Sequence, residues 1–263
     1  MIPTIGTAIK PIASKVISIY KYLDRSIHFT LQYTKAALAG PYEWNELFRQ
    51  CFIIGYQSLP LVAITGLILG IVLTIQSRPT LAEFGATSWL PAMVTTSIFR
   101  EVGPVITGLL FAGKIGSAIG AELAAMRVSE QIDAIEVSGV NTYQYLIAPR
   151  VTATITMLVI LTIFSMAFSM FGTYLGMNLN GVLQFRIFYV QALAHISFID
   201  LISSLIKSAI FGFAIGLIAT YQGFYATKGT SGVAKAANKS VVYASLAIFI
   251  IDVIAVQVTA FFR

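Results

Sequence analysis

Residues 109–149 read LLFAGKIGSAIGAELAAMRVSEQIDAIEVSGVNTYQYLIAP, and this stretch decides the fold class. Its first part is a glycine-rich apolar helix that is stable only in a membrane. Its second part, after Val128, is short, acidic and amphipathic, and Gly139 is typical of a helix end. An apolar membrane helix joined directly to a short helix in water is the arrangement by which a separate motor protein drives a transport protein.

The composition indicates a polytopic membrane protein. The chain has 263 residues, of which 57% are hydrophobic and 11% charged, and its mean hydropathy is +0.83. Soluble domains carry about 25% charged residues. Cys51 is the single cysteine, and His28 and His195 lie far apart, so we expect no disulfide framework and no metal site. The apolar segments leave no room for a separate catalytic domain, so we do not expect an enzyme.

Five apolar segments are long enough to cross a bilayer, which needs about 20 residues. They cover residues 51–77, 92–125, 151–177, 198–221 and 241–262. The pattern predicts an all-α protein in two parts, an amphipathic interfacial helix within residues 1–45 and a membrane domain over 46–263. A second interfacial helix is expected within 178–197.

The distribution of lysine and arginine predicts the topology. These residues concentrate in 1–50, 122–150 and 222–240, and few lie in the other connections. The N-terminus is therefore predicted to be cytosolic, and the 178–197 connection and the C-terminus external.

Small residues recur at every fourth position of the second segment. They are Gly108, Ala112, Gly116 and Gly120, and they predict a face for close helix packing. The same region nearly matches a P-loop, but Ile115 stands where the magnesium-binding Ser or Thr is required. We therefore expect no nucleotide or cofactor on this chain.

Ionisable residues also occur inside the apolar segments. Lys207 and Asp252 lie near the middle of two antiparallel segments, which predicts an ion pair at one depth. A proton- or ion-coupled carrier that uses Asp200, Lys207 and Asp252 is the alternative interpretation. The absence of an internal repeat weakens it, because many carriers are built from repeats. Arg100 and Glu101, ahead of Pro104, are a candidate site for a polar headgroup, although a local ion pair fits the pattern equally well.

The acidic stretch predicts a helix over 129–139. Ser129 is a suitable N-cap, and negative residues in the first turn suit the helix dipole. Ile132, Ile135 and Val137 are expected to offer an apolar edge. An ordinary connecting helix fits the pattern, and so does a coupling helix that docks in a groove of a cytosolic partner.

These residues resemble the MlaE family of ABC-transporter permeases. The resemblance covers about 45–262 and rests on FREVGPVITGLLFAGKIGSAIGAELAAMRVSEQIDAIEVSGV at 99–140, YLIAPRV at 145–151 and LIKSAIFG at 205–212. It implies a homodimer that moves phospholipid or glycolipid. Each copy would bind a cytosolic ATPase, which carries the ATP and magnesium, and an external MCE-domain lipid-binding protein.

The resemblance also implies site residues. The lipid cavity would lie at the dimer axis, lined by the first and fifth segments and the start of the second, with lipid contacts from Leu69, Leu73, Gln76, Leu81, Phe84, Arg100, Glu101 and Val102. Contact with the ATPase would come from Ser129, Glu130, Gln131, Asp133 and Glu136. Two residues depart from the family pattern: Lys114 replaces the usual Arg, and Thr142 follows Asn141 where Pro is common.

The source compartment is suggested by composition. Isoleucine outnumbers leucine and lysine outnumbers arginine, which is typical of an AT-rich genome. Residues 1–50 lack the pattern of a cleavable signal peptide. We therefore expect a plastid inner envelope protein if the gene is organelle-encoded, and a bacterial inner-membrane protein otherwise.

Overall fold

A computed structural model describes residues 24–38, 43–179 and 184–261, and these residues form helices joined by short turns. Five helical segments are long and apolar enough to cross a membrane: span one is Trp44–Glu83, span two Thr87–Val128, span three Tyr143–Asn178, span four Phe198–Phe224 and span five Thr230–Phe261. The prediction of an all-α protein with five spans is confirmed. Each span extends beyond its apolar segment, because the helices continue into the interfacial regions.

Three shorter helices accompany the spans. The N-terminal helix covers 24–38, the connecting helix covers Gln131–Val137, and a short helix between spans three and four covers Phe185–Leu193. Residues 12–23 of the expected interfacial helix lie outside the described residues. Phe29 of the N-terminal helix is fully buried among aromatic rings of spans three and four, whereas Ile27 and Leu31 are exposed.

Span two is not a uniform α-helix. Its straight parts are Leu90–Ser97, Gly103–Phe111 and Ser117–Val128, and the π-helical turns Ile98–Val102 and Ala112–Gly116 separate them. A π-turn inserts an extra residue and rotates the side chains that follow it. The two turns contain three charged residues of this span, Arg100, Glu101 and Lys114.

The predicted small-residue face of span two packs against spans four and five. A Cβ at Gly108 would lie 3.2 Å from the Phe211 ring, and one at Gly120 would overlap the Ser240 side chain. The tightest approach, however, joins spans one and three. A Cβ at Gly70 would overlap the Ser169 carbonyl oxygen, and one at Gly172 would overlap that of Leu67. The backbones of spans one and three therefore touch with no room for a side chain.

We expect Gly70→Val to destabilise the protein, because the new side chain must push span three away. Overpacking of this kind costs about 1–3 kcal/mol. The thermal unfolding midpoint of the detergent-solubilised chain measures the loss. Gly113→Val is the matched control, since a Cβ at Gly113 meets nothing within 4 Å. Equal effects of the two substitutions would contradict the close contact of spans one and three.

Candidate functional site

Five ionisable side chains from three spans form one ionic cluster: Arg100, Glu101, Asp200, Lys207 and Asp252. The Lys207 ammonium lies 2.8 Å from a Glu101 carboxylate oxygen and 2.9 Å from one of Asp252. Arg100 donates to Asp200 over 2.9 Å. The structure thus pairs Lys207 with Asp252, as the sequence predicts. It also joins this pair to Glu101, which the sequence analysis treats as part of a different site.

The local sequence explains how the cluster is positioned. Arg100 and Glu101 are neighbours in the π-turn of span two, so one reaches Asp200 and the other Lys207. Asp200 is also part of the capping box that begins span four. Its carboxylate accepts from the Ser197 N–H, and its own N–H donates to the Ser197 hydroxyl. The buried Asp200 carboxylate therefore caps the start of span four and also holds the Arg100 guanidinium in place.

Burial divides the cluster into two layers. The side chains of Lys207 and Asp200 are 3% and 1% exposed, whereas those of Arg100 and Glu101 are 35% and 40% exposed. The buried charges are paired, as charges in a membrane interior must be. Two cations and three carboxylates give the cluster a formal charge of −1 when all five are ionised. The exposed layer can therefore contact a polar group that arrives from the membrane or from outside.

Two cavities adjoin the cluster. A small polar cavity of about 90 Å³ is lined by cluster members and by Ser203 and Thr259. An open apolar groove of about 670 Å³ continues from it between spans four and five. Ser203, Lys207 and Thr259 line both spaces. Sequence reasoning missed Ser203, although its spacing from Asp200 and Lys207 places all three on one helix face.

The predicted acyl-contact residues occupy two different environments. Leu69, Leu73 and Leu81 are half-buried and pack against Leu90, Val94 and Ile98 at the start of span two. Gln76 is exposed, and Phe84 is 79% exposed beyond the end of span one. Val102 is half-buried. Spans one and five both present largely exposed faces, since only 28% and 11% of the residues in their most apolar stretches are buried.

The connecting helix differs from its prediction at its start. It begins at Gln131, and its N-cap is Glu130, which has a left-handed backbone with φ of 61°. The prediction that Ser129 caps this helix is wrong, because its hydroxyl donates back to the Ala125 carbonyl at the end of span two. Gly139, with φ of 79°, ends the helix as expected. The N–H groups of Gly139 and Val140 donate to Glu136 and Ile135, which is a Schellman motif.

The apolar residues of the connecting helix differ in their burial. Ile132 is fully buried and Ile135 half-buried, and both belong to the hydrophobic core of their own chain. The expectation of a three-residue apolar edge is therefore wrong, because two of the three anchor the helix to the bundle. Val137 is 89% exposed at its tip.

Most of the polar residues proposed for coupling have partners within the chain. Asp133 is paired with Arg127, and Glu130 lies 3.8 Å from Lys228. Glu136 accepts a hydrogen bond from Thr142 at 3.4 Å. Ser129 and Gln131 line an open cavity of about 580 Å³ between the connecting helix and the start of span one. The exposed surface of the helix is thus acidic with one apolar tip.

The model of the family described as Permease MlaE matches residues 47–258 of this sequence. The chain belongs to the MlaE permease family. It is 33% identical over 239 residues to a probable ABC transporter permease protein of Rickettsia bellii, which covers 91% of this chain and 92% of that protein. The match includes every span and the connecting helix, so the family assignment covers the whole bundle.

Two further relatives have more specific names. The intermembrane phospholipid transport system permease protein MlaE of Haemophilus influenzae is 33% identical over 209 residues, 79% of this chain and 80% of that protein. The chloroplastic protein TRIGALACTOSYLDIACYLGLYCEROL 1 of Arabidopsis thaliana is 31% identical over 235 residues, 88% of this chain and 67% of that protein. This MlaE-family permease is thus similar to both bacterial and chloroplast proteins.

The two departures from the family pattern have structural roles in this permease. Lys114, in the second π-turn, donates to the Gln57 carbonyl and so joins span two to span one. Thr142 is buried and bonds to Glu136. Its hydroxyl connects the exit of the connecting helix to the helix itself, a bond that a proline could not make.

We expect Lys207→Gln to lower the stability of this permease, because Glu101 and Asp252 lose their cation. Removing one member of a fully buried pair costs about 3–5 kcal/mol, and the partial exposure of both carboxylates reduces this to about 2 kcal/mol. The measurement is the unfolding midpoint in detergent. Lys228→Gln is the control, since its side chain is 94% exposed and it should shift nothing.

A neutral triple variant sharpens this test. Lys207→Gln combined with Glu101→Gln and Asp252→Asn removes the cation and both carboxylates, and it should recover much of the lost stability. If the triple variant is as unstable as Lys207→Gln alone, the ion pairs are not the cause of the loss.

Proposed function

We propose that this chain is the permease subunit of an ABC transporter that moves phospholipid or glycolipid between a membrane and an external MCE-type lipid carrier. A separate ATPase supplies the energy. The observation that carries this proposal is the family match across residues 47–258, which contains both the ionic cluster and the connecting helix. The names of the Haemophilus and Arabidopsis relatives support lipid as the cargo.

The exposed faces of spans one and five support a homodimer. Within one chain, span one packs mainly against span three, and span five against spans two and four. A cavity lined by both span one and span five therefore needs a second copy. In this proposal Leu69, Leu73, Gln76, Leu81 and Phe84 line its apolar part. Arg100, Glu101 and Val102 form its polar edge.

The connecting helix is the proposed docking element for the ATPase. It follows span two directly and is fixed to its own bundle by Ile132 and Ile135, so a force on the helix is transmitted to the bundle through span two. ATP binding would close two ATPase subunits and bring the two connecting helices closer. The cavity between the copies would then narrow and transfer its lipid. Ser129, Glu130, Gln131, Asp133 and Glu136 are the proposed contact residues, together with Val137.

The proposed location is the plastid inner envelope if the gene is organelle-encoded and the bacterial inner membrane otherwise. Relatives of both kinds support this pair of locations. The ion-coupled carrier gains no support from the ionic cluster, because Asp200, Lys207 and Asp252 are all paired with opposite charges of their own chain.

Affinity purification of the chain in mild detergent tests the proposal. Mass spectrometry identifies the proteins and the lipids that co-purify. We expect an ABC ATPase, an MCE-domain protein and retained glycerolipid. A folded permease that carries neither an ATPase nor lipid would contradict the proposal.

We expect Glu130→Lys with Asp133→Lys to abolish stimulation of the partner ATPase, because the acidic docking surface becomes basic. The variant should still insert in the membrane. The measurement is ATP hydrolysis by the reconstituted complex. Unchanged hydrolysis would show that this helix does not dock the ATPase.

We expect Val137→Asp to weaken the same coupling by about tenfold, since a buried apolar contact of this size is worth about 1.5 kcal/mol. Val190→Asp is the matched control: it is the same change at an exposed valine of the short helix between spans three and four. Equal loss in both variants would indicate a general defect and contradict a contact at Val137.

A further inference from the structure

Residues 122–150 form a hairpin that holds the connecting helix between two stems. The first stem, 122–128, is the last part of span two, and the second stem, 143–150, is the first part of span three. An ion pair closes the hairpin at its neck, because the Arg150 guanidinium donates to a Glu122 carboxylate oxygen over 2.7 Å. The pair therefore fixes the separation of the two stems.

Two further polar links tie the connecting helix to the stems. Arg127, at the end of the first stem, is paired with Asp133 of the helix. The hydroxyl of Thr142, which precedes the second stem, donates to the Glu136 carboxylate at 3.4 Å. Together with the neck, these links join each stem to the helix and the two stems to each other. Three links that close a triangle leave no free hinge, so the helix cannot turn without moving both stems.

We propose that these three links act as a brace through which a push on the connecting helix moves spans two and three together, and that Arg150 is the positioning residue at its neck. This inference rests on the proposed function, because it takes the connecting helix as the docking element for the ATPase. It adds a direct path from the connecting helix to span three.

Arg150 is almost fully buried and is held from two sides. Its side chain is 2% exposed, and one terminal nitrogen donates to the Leu146 carbonyl in the π-turn that begins span three. The other terminal nitrogen reaches across to Glu122 on span two. The Glu122 side chain is 49% exposed and lines the open cavity beside the connecting helix. The cation is therefore fixed in place, and the carboxylate is the member of the pair that water can reach.

The Glu122–Arg150 pair determines geometry more than stability. The Nε of Arg150 is buried and has no acceptor among the described residues, so the guanidinium is not fully satisfied where it lies. An apolar side chain of similar volume is often equally stable in place of a buried ionic residue. Such a side chain could not bind a carboxylate on one span and a carbonyl on the other. What the guanidinium adds at this position is one fixed orientation of the two stems.

Hydrogen exchange of the full-length chain in lipid nanodiscs, without the ATPase and followed by mass spectrometry, tests the brace. Arg150→Met breaks the neck, and the remaining Glu122 carboxylate can be hydrated because it is half-exposed. We expect the amides of 129–142 to exchange about tenfold faster than in the wild type, since local opening becomes easier when a link is lost. Arg150→Lys keeps a cation at the neck and should restore most of the protection.

Arg49→Gln is the matched control. Arg49 lines the same cavity as Arg150, but its ion pair with Glu46 lies within span one and joins no second helix. Exposed pairs of this kind contribute little. The substitution should therefore leave the exchange of 129–142 unchanged.

Thr142→Val opens another side of the brace with a side chain of nearly the same shape, and it tests the inference even if Arg150→Met does not fold. Because a brace that is already open has no further rigidity to lose, the double variant should exchange at most about twofold faster than the faster single variant. Two independent stabilising contacts would instead multiply their effects on the exchange rate.

Lipid transfer by the complex with the co-purifying ATPase tests whether the brace transmits motion. We expect Arg150→Met to hydrolyse ATP within about twofold of the wild-type rate but to transfer about tenfold less lipid per ATP, a loss within the usual range of coupling between two sites. Arg150→Lys should restore this ratio, because a cation again joins the two stems.

Four results would overturn the inference. Residues 129–142 could exchange at the wild-type rate in Arg150→Met, or just as fast in Arg49→Gln. The effects of the two single variants could multiply in the double variant, or the lipid transferred per ATP could stay unchanged. The exchange measurement needs neither an ATPase nor transport. If no ATPase co-purifies, the proposed function fails, while the exchange data still show whether the brace exists.

Discussion

The buried ammonium of Lys207 is the constraint on which the arrangement of spans two, four and five depends. A charge in the hydrocarbon region costs about 2.5–3.5 kcal/mol on insertion scales unless it is paired. The carboxylates that pair it come from Glu101 on span two and Asp252 on span five. The pairing fixes the depth and rotation of three helices at once. A buried ion pair adds little net stability, but breaking it is costly, so it favours one register over the alternatives.

Spans one and three are held together by a different interaction. Their backbones meet at Gly70 and Gly172, where no side chain separates them. Span three also touches span four closely, because a Cβ at Gly212 would lie 2.7 Å from the Thr154 carbonyl oxygen. Span three therefore joins span one, which it meets at glycines, to spans two, four and five, which are held by ion pairs. This arrangement leaves the outer faces of spans one and five exposed, and the proposed second copy and the lipid would lie there.

Much of the fold could be predicted because hydropathy alone reports membrane spans. The Lys207–Asp252 pair could also be predicted, since two charges at equal depth in antiparallel helices have few other partners. The contribution of Glu101 could not, because it depends on the π-turn at Ile98–Val102, which rotates the side chains away from ideal helical positions. The contact of Gly70 with Ser169 joins residues about one hundred positions apart, and no single-helix pattern reports it. The cap of the connecting helix was missed because Glu130 adopts a left-handed conformation that favours glycine and asparagine.

We propose that this permease moves lipid under the control of a separate ATPase. The most direct measurement is transfer of a fluorescent phospholipid by the permease, reconstituted in liposomes with the ATPase that co-purifies with it. We expect transfer that requires ATP hydrolysis and does not respond to a membrane potential or a proton gradient. Transfer that proceeds without ATP and follows the membrane potential would contradict it and favour an ion-coupled carrier.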